Sequence, residues 1–210
     1  RLLQVVLATV ISFTSLALIA QTPAAAADGD LDTSFSDDGW IVVDSHSSGE
    51  DGIIDTAIDS SGKIITGGYW NNNGTTNNWS WQMLRYTAAG ECTAAEQFDG
   101  NCGTAQWFST AADRITEIMI DANGKYVTVG FADANSGSDF DCVVYRTLST
   151  TGWKDSASDF DDGADTSFGD AGKFVATFGS EDEYCRAGAL DADGKIVIAG
   201  YLKNSSTDWD

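Results

Sequence analysis

The chain has 210 residues and carries 32 Asp and Glu against 11 Lys and Arg, with a single His, for a formal net charge of −21. Such an acidic balance excludes phosphate-backbone recognition, which needs a basic footprint, and disfavours attraction to anionic lipid. Cations, above all Ca²⁺, remain as compatible small partners, and the charge keeps a sheet-rich protein soluble.

The first element is apolar. Leu2 to Ala20 is followed by Gln21-Thr22-Pro23 and then by Ala24 to Ala27. That succession of apolar helix, helix breaker and Ala-x-Ala site has the form of a secretory signal peptide spanning residues 1–27, with cleavage expected near Ala26 or Ala27. An uncleaved anchor is the rival reading, because the stretch is just long enough to span a bilayer. No charged stop-transfer flank follows it. The expectation is a secreted, cell-surface or periplasmic protein with no stable membrane insertion once the leader is removed. The first residue is not Met and the last falls inside a repeat, so both ends are expected to be clipped.

Beyond the leader, the chain repeats itself. Asp59-Ser-Ser-Gly62-Lys63 leads into Ile-Ile-Thr-Gly-Gly68-Tyr69. Asp121-Ala-Asn-Gly124-Lys125 leads into a strand bearing Gly130 and Phe131, and Asp191-Ala-Asp-Gly194-Lys195 into one bearing Gly200 and Tyr201. Asp32-Thr33-Ser34-Phe35 returns as Asp165-Thr166-Ser167-Phe168, and Trp79 as Phe140 and Trp209. Residues 28–95, 96–163 and 164–210 are read as three successive repeats, the third truncated.

Each repeat reads as four short strands. In the first they are expected at Trp40–Asp44, Ile53–Ile58, Lys63–Trp70 and Trp79–Tyr86, where β-branched and aromatic residues alternate with turn formers. Ser-Gly, Asn-Gly and Asp-Gly are strong hairpin signals, and both turn residues are expected to tolerate positive φ. A recurring Gly inside a strand implies a bulge or a close backbone approach; crowding toward a common axis would supply the latter. The columns Ala57/Met119/Ala189 and Ile58/Ile120/Leu190 are apolar and alternate in direction, so both faces of the inner strands are expected to be buried.

These motifs resemble the delta-sixty repeat: Leu31-Asp32-Thr33-Ser34-Phe35, a Val-rich strand, Asp191-Ala-Asp-Gly194-Lys195-Ile-Val-Ile-Ala-Gly200-Tyr201, and an aromatic strand ending in Arg85 or Arg146. Such repeats occur in tandem in exported bacterial proteins with a β-propeller-like fold. The resemblance covers Asp30 to Asp210. The middle unit departs from it, with Glu96-Gln97-Phe98 in place of the full motif and an insertion from Cys92 to Cys102. The resemblance implies an all-β array of four-stranded blades, here about three and incomplete, and it brings no defining catalytic residue.

Candidate sites are few. Cys92 and Cys102 are expected to close a short polar loop as a disulfide. Cys142 and Cys185 sit within expected strands and would either pair across neighbouring blades or remain small buried residues. Asp159, Asp161, Asp162 and Asp165 surround Gly163 and form a calcium candidate of hard oxygen ligands; the alternative is a solvated loop. Trp70 and Trp153 have no aromatic repeat partner and are the candidates for stacking on a ligand, whereas Trp79 is expected to pack between blades. His46 lies in a polar turn without a nucleophile elbow. The chain therefore reads as a non-catalytic scaffold or binding module for a protein or glycan. Its competitors are a carbohydrate-active enzyme with an axial carboxylate pocket and a purely structural, calcium-stiffened array.

Overall fold

The computed structural model describes residues 29–43, 49–71, 79–93, 103–106, 112–134, 139–147, 167–170, 172–205 and 208–209. The expected leader, residues 1–27, and residues 44–48, His46 among them, lie outside the described residues. Among the described residues the fold is all-β, and no helix is long and apolar enough to cross a membrane.

Local chemistry at the repeated Asp-x-x-Gly-Lys segment starts each sheet. The Asp59 carboxylate accepts from the backbone N–H groups of Ser61 and Lys63 at 2.8 and 3.0 Å, and the Gly62 N–H returns to the Asp59 carbonyl. Asp121 and Asp191 make the same bonds. Within these three turns positive φ is confined to Gly62, Gly124 and Gly194, at +83°, +78° and +78°. The expectation that the preceding Asn123 or Asp193 shares this conformation is therefore corrected. The hairpin loop has three residues, with the carboxylate satisfying two turn donors and only the Gly left-handed.

Three antiparallel sheets follow from these hairpins. Sheet 1 runs β1 (Gly52–Ile58), β2 (Ile64–Asn71), β3 (Trp79–Tyr86) and β4 (Gly103–Gln106). Sheet 2 runs β5 (Arg114–Ile120), β6 (Tyr126–Ala132), β7 (Asp141–Thr147) and β8 (Lys173–Ala176). Sheet 3 runs β9 (Glu183–Leu190), β10 (Ile196–Ser205) and β11 (Asp208–Trp209).

The sheets are offset from the sequence repeats. β8 follows the Phe168–Gly172 turn, in which the Gly172 N–H donates to the Phe168 carbonyl, and it hydrogen-bonds backward to β7. The equivalent Phe35–Gly39 turn makes the same bond, but residues 40–43 lie in no strand. The outer strand expected from Trp40 is thus corrected. Its pairing partner would be the third strand of a preceding sheet, and none stands before it among the described residues.

Each first strand carries a β-bulge opposite the recurring glycine. Register shifts occur between Ile53 and Asp55, between Ile115 and Glu117, and across from Ala199 and Gly200. A Cβ on Gly68, Gly130 or Gly200 would collide with the carbonyl oxygen of Gly52, Arg114 or Tyr184 respectively. The close approach comes from the bulged neighbour strand within the same sheet, not from crowding at an axis.

The sheets stack face to face. Ile65, Trp81 and Met83 of sheet 1 pack with Ile115, Ile118, Tyr126, Val143 and Tyr145 of sheet 2. On the opposite face of sheet 2, Val127, Val129, Cys142 and Val144 pack with Cys185, Ile196 and Ile198 of sheet 3. The first strands β1, β5 and β9 lie against one another in succession. Burial on both faces holds for sheet 2 and for β3 of sheet 1, where Ser80, Gln82 and Leu84 are buried opposite Trp81 and Met83, but not for β1 or β10. Ile58 on the free face of sheet 1 is 68% exposed, and Val197 on the free face of sheet 3 is 55% exposed.

Candidate functional site

The two junctions between sheets share one plan. The Asp113 N–H donates to the Trp79 carbonyl at 3.0 Å, and the Glu183 N–H donates to the Phe140 carbonyl at 2.6 Å. Asp55 accepts from the Ile118 N–H at 2.8 Å, and its repeat equivalent Glu117 accepts from the Gly188 N–H. In each case a carboxylate of one sheet covers a backbone donor on the first, edge strand of the next, which would otherwise be open to unwanted pairing.

Aromatic packing also repeats. At the first junction the Arg114 guanidinium lies 4.6 Å from the Tyr69 ring centroid and 4.0 Å from that of Trp79, a cation–π pair on both sides. At the second junction Tyr184 holds the same place, with ring centroids 4.8 Å from Phe131 and 5.4 Å from Phe140. Trp79 and Phe140 therefore serve the junctions, as expected for Trp79.

The second junction differs at its centre. Cys142 and Cys185 form a disulfide joining β7 to β9, with a Cα–Cα distance of 5.1 Å across 43 positions of sequence. Of the two alternatives, the pairing between neighbouring sheets is the one realised. Beside it opens a cleft of about 350 Å³, lined by the disulfide, Tyr184, Tyr201, Glu183, Ile198 and Leu202 among others. That volume falls within the range of small-ligand sites.

The polar side chains lining the cleft are Glu183, Tyr184 and Tyr201. Glu183 is only 3% exposed; its Oε1 accepts from the Phe178 N–H at 3.0 Å, and its buried Oε2 has no hydrogen-bond partner. Burial pushes its carboxyl above the ordinary glutamate value against the opposing Phe178 N–H, and the charges of Asp141 and Asp139 add to the rise. Tyr184 is pushed up to about 12, first by burial and then by the charge of Asp182. Arg186 donates from Nη2 to the Tyr201 hydroxyl at 2.5 Å and lies 5.2 Å from that ring's centroid. The arrangement offers aromatic and aliphatic walls with one buried acceptor, which suits recognition of a flat apolar group bearing a donor.

The residues singled out from sequence fall elsewhere. Trp70 lies in β2 opposite Ser80, half-buried, and is not among the residues lining the cleft. Trp153, Asp159, Asp161, Asp162 and Asp165 lie outside the described residues. Cys92 is disulfide-bonded, and its expected partner Cys102 lies outside the described residues. Glu183, Tyr184 and Tyr201 went unrecognised as site residues. The signal for them was present in the repeat alignment, where Cys142 replaces Trp81 while the flanking Gly and aromatic residues persist. Comparison with protein-family models and with curated proteins gives no match for the chain.

Proposed function

We propose that the chain is an exported, non-catalytic binding module, formed from consecutive blades of a β-propeller-like array and serving as a scaffold for a protein or glycan ligand. The blade reading draws on three antiparallel sheets stacked face to face, on their first strands lying side by side, and on the delta-sixty resemblance of the repeats. Fold alone does not assign a ligand. The observation that carries the binding role is the cleft at the second junction, where Tyr184 and Tyr201 flank a buried carboxylate oxygen without a partner. Aromatic walls with a few convergent polar groups are the usual make-up of a recognition site.

The test is retention of oligosaccharides and of a peptide library by the immobilised chain. Saturable binding that Tyr201→Ala or Tyr184→Ala weakens about tenfold, a loss of roughly 1.4 kcal/mol, is the expected result. Absence of saturable binding to either library, or binding indifferent to both substitutions, refutes the reading.

A further inference from the structure

Trp81 and Cys142 hold the same place in successive sheets. Trp81 pairs in register with Tyr69 across β2 and β3, and Cys142 pairs with Phe131, the repeat equivalent of Tyr69, across β6 and β7. At the first junction the Trp81 indole is fully buried and donates from Nε1 to the Phe131 carbonyl at 3.1 Å. It passes so close to Gly130 that a Cβ there would lie 2.9 Å from the ring.

The surface that receives this indole is repeated at the second junction. Gly200 and Tyr201 stand opposite the bulged strand in the register of Gly130 and Phe131, and both line the cleft. Cys185 stands in the register of Ile115, which packs with Trp81. The side chains change from Trp81 with Ile115 to Cys142 with Cys185, and the bridged pair is far smaller. The cleft is the room left by that exchange. An independent feature is Glu183, buried, with Oε2 unpartnered at the same place. A buried acceptor without a donor is costly, and a ligand N–H would remove that cost.

We propose that the cleft between sheets 2 and 3 receives a planar bicyclic aromatic group carrying an N–H donor, namely the side chain of a tryptophan presented by a partner protein. This deepens the binding-module reading and rests on it. The ring lies where the first junction places its own indole, and its N–H is received by Glu183 Oε2.

Calorimetric titration of the intact chain with indole and with N-acetyl-tryptophanamide tests the proposal. The expected result is saturable binding at a single site. Affinity falls at least tenfold in the double variant Cys142→Trp with Cys185→Ile, which installs the pair that fills the first junction. It falls several-fold for 1-methylindole, which lacks the donor, and in Glu183→Gln. Because the double variant also removes a disulfide, the site is located independently in the unmodified chain by NOEs between indole protons and the methyl groups of Ile198 and Leu202. Lack of saturable indole binding, equal binding by the folded double variant, or NOEs to other residues instead would overturn the proposal. A chain that retains a glycan or peptide but not indole overturns this inference and leaves the binding-module reading standing. A chain that retains neither overturns both.

Discussion

Replacing Gly130 by Ala sets two opposed effects against each other, and the structure determines which is larger. In an ordinary strand the change is favourable by about 0.5–1 kcal/mol, because the unfolded chain loses freedom. Gly130 is not in the left-handed region, so that gain applies. Against it, the new Cβ would overlap the Arg114 carbonyl oxygen and press on the Trp81 ring. Overpacking against side chains costs about 1–3 kcal/mol. Here the obstacle is backbone, so β5 and β6 must separate at the bulge and disturb one or two hydrogen bonds worth about 1 kcal/mol each. The net expectation is a loss of about 3 kcal/mol, which for a domain of this size lowers Tm by roughly 6–12 °C. Thermal denaturation followed by circular dichroism measures it. Gly179→Ala is the control, because its Cβ would meet only the Glu183 carboxylate at 3.8 Å and its φ is not left-handed; it should stay within about 0.5 kcal/mol of the unmodified chain. A Gly130→Ala chain melting at or above the unmodified one would refute the steric argument.

Cys142→Ala with Cys185→Ala should cost about 4 kcal/mol in chemical denaturation, from the loop-closure entropy of a 43-residue separation; a cost under about 1 kcal/mol would show that this loop adds little. Burial, and next the charge of Asp55, raise the Glu117 carboxyl. Asp55→Asn keeps an acceptor for the Ile118 N–H but removes that charge, so the Glu117 midpoint in an NMR titration should move down, and an unmoved midpoint would sink the coupling. Glu183 has a raised folded pKa, so its protonated form is favoured by folding and its stability penalty is absent below the ordinary glutamate value. The penalty grows as pH rises from there through the folded pKa. Glu183→Gln should therefore gain Tm relative to the unmodified chain as pH rises above the ordinary glutamate value and show no relative gain below it; a gain independent of pH would contradict the assignment.

The inner hairpins were readable because their determinants are local. An Asp that satisfies two turn donors, a Gly in the left-handed region and flanking β-branched residues all act within about ten positions, and β1, β2 and β3 fall within a residue or so of where these signals place them. The recurring Gly inside the second strand was also readable, although its cause, a bulge in the neighbouring strand, depends on register that spacing does not report. The outer strands were not readable in the same way. Lys173–Ala176 becomes a strand because β7 offers a partner, while the like sequence at residues 40–43 has none among the described residues. The cleft was hidden for a related reason. No single residue marks it, since it arises from a small pair standing where another junction has a large one, and that contrast acquires volume only when the two sheets are superposed by register.

Burial along the stack is thus a property of neighbours. Ile65, Val127 and Val197 occupy one repeat position; the first two are fully buried, and the third is exposed because no sheet among the described residues covers it. The apolar columns would let any similar sheet adhere to a free face, so they cannot by themselves choose a partner. The choice lies in the polar and aromatic positions, and there the two free faces are not copies of the inner ones. Ala187 stands where Asp55 and Glu117 reach across to a backbone donor, and Gly52 stands where Arg114 and Tyr184 project between aromatic rings. Two copies of this chain stacked end to end would keep the apolar contact and lose both the carboxylate bond and the inserted side chain. The inner junctions are consequently specified by interactions that the outer faces do not offer to each other, which favours the internal order of sheets over end-to-end association.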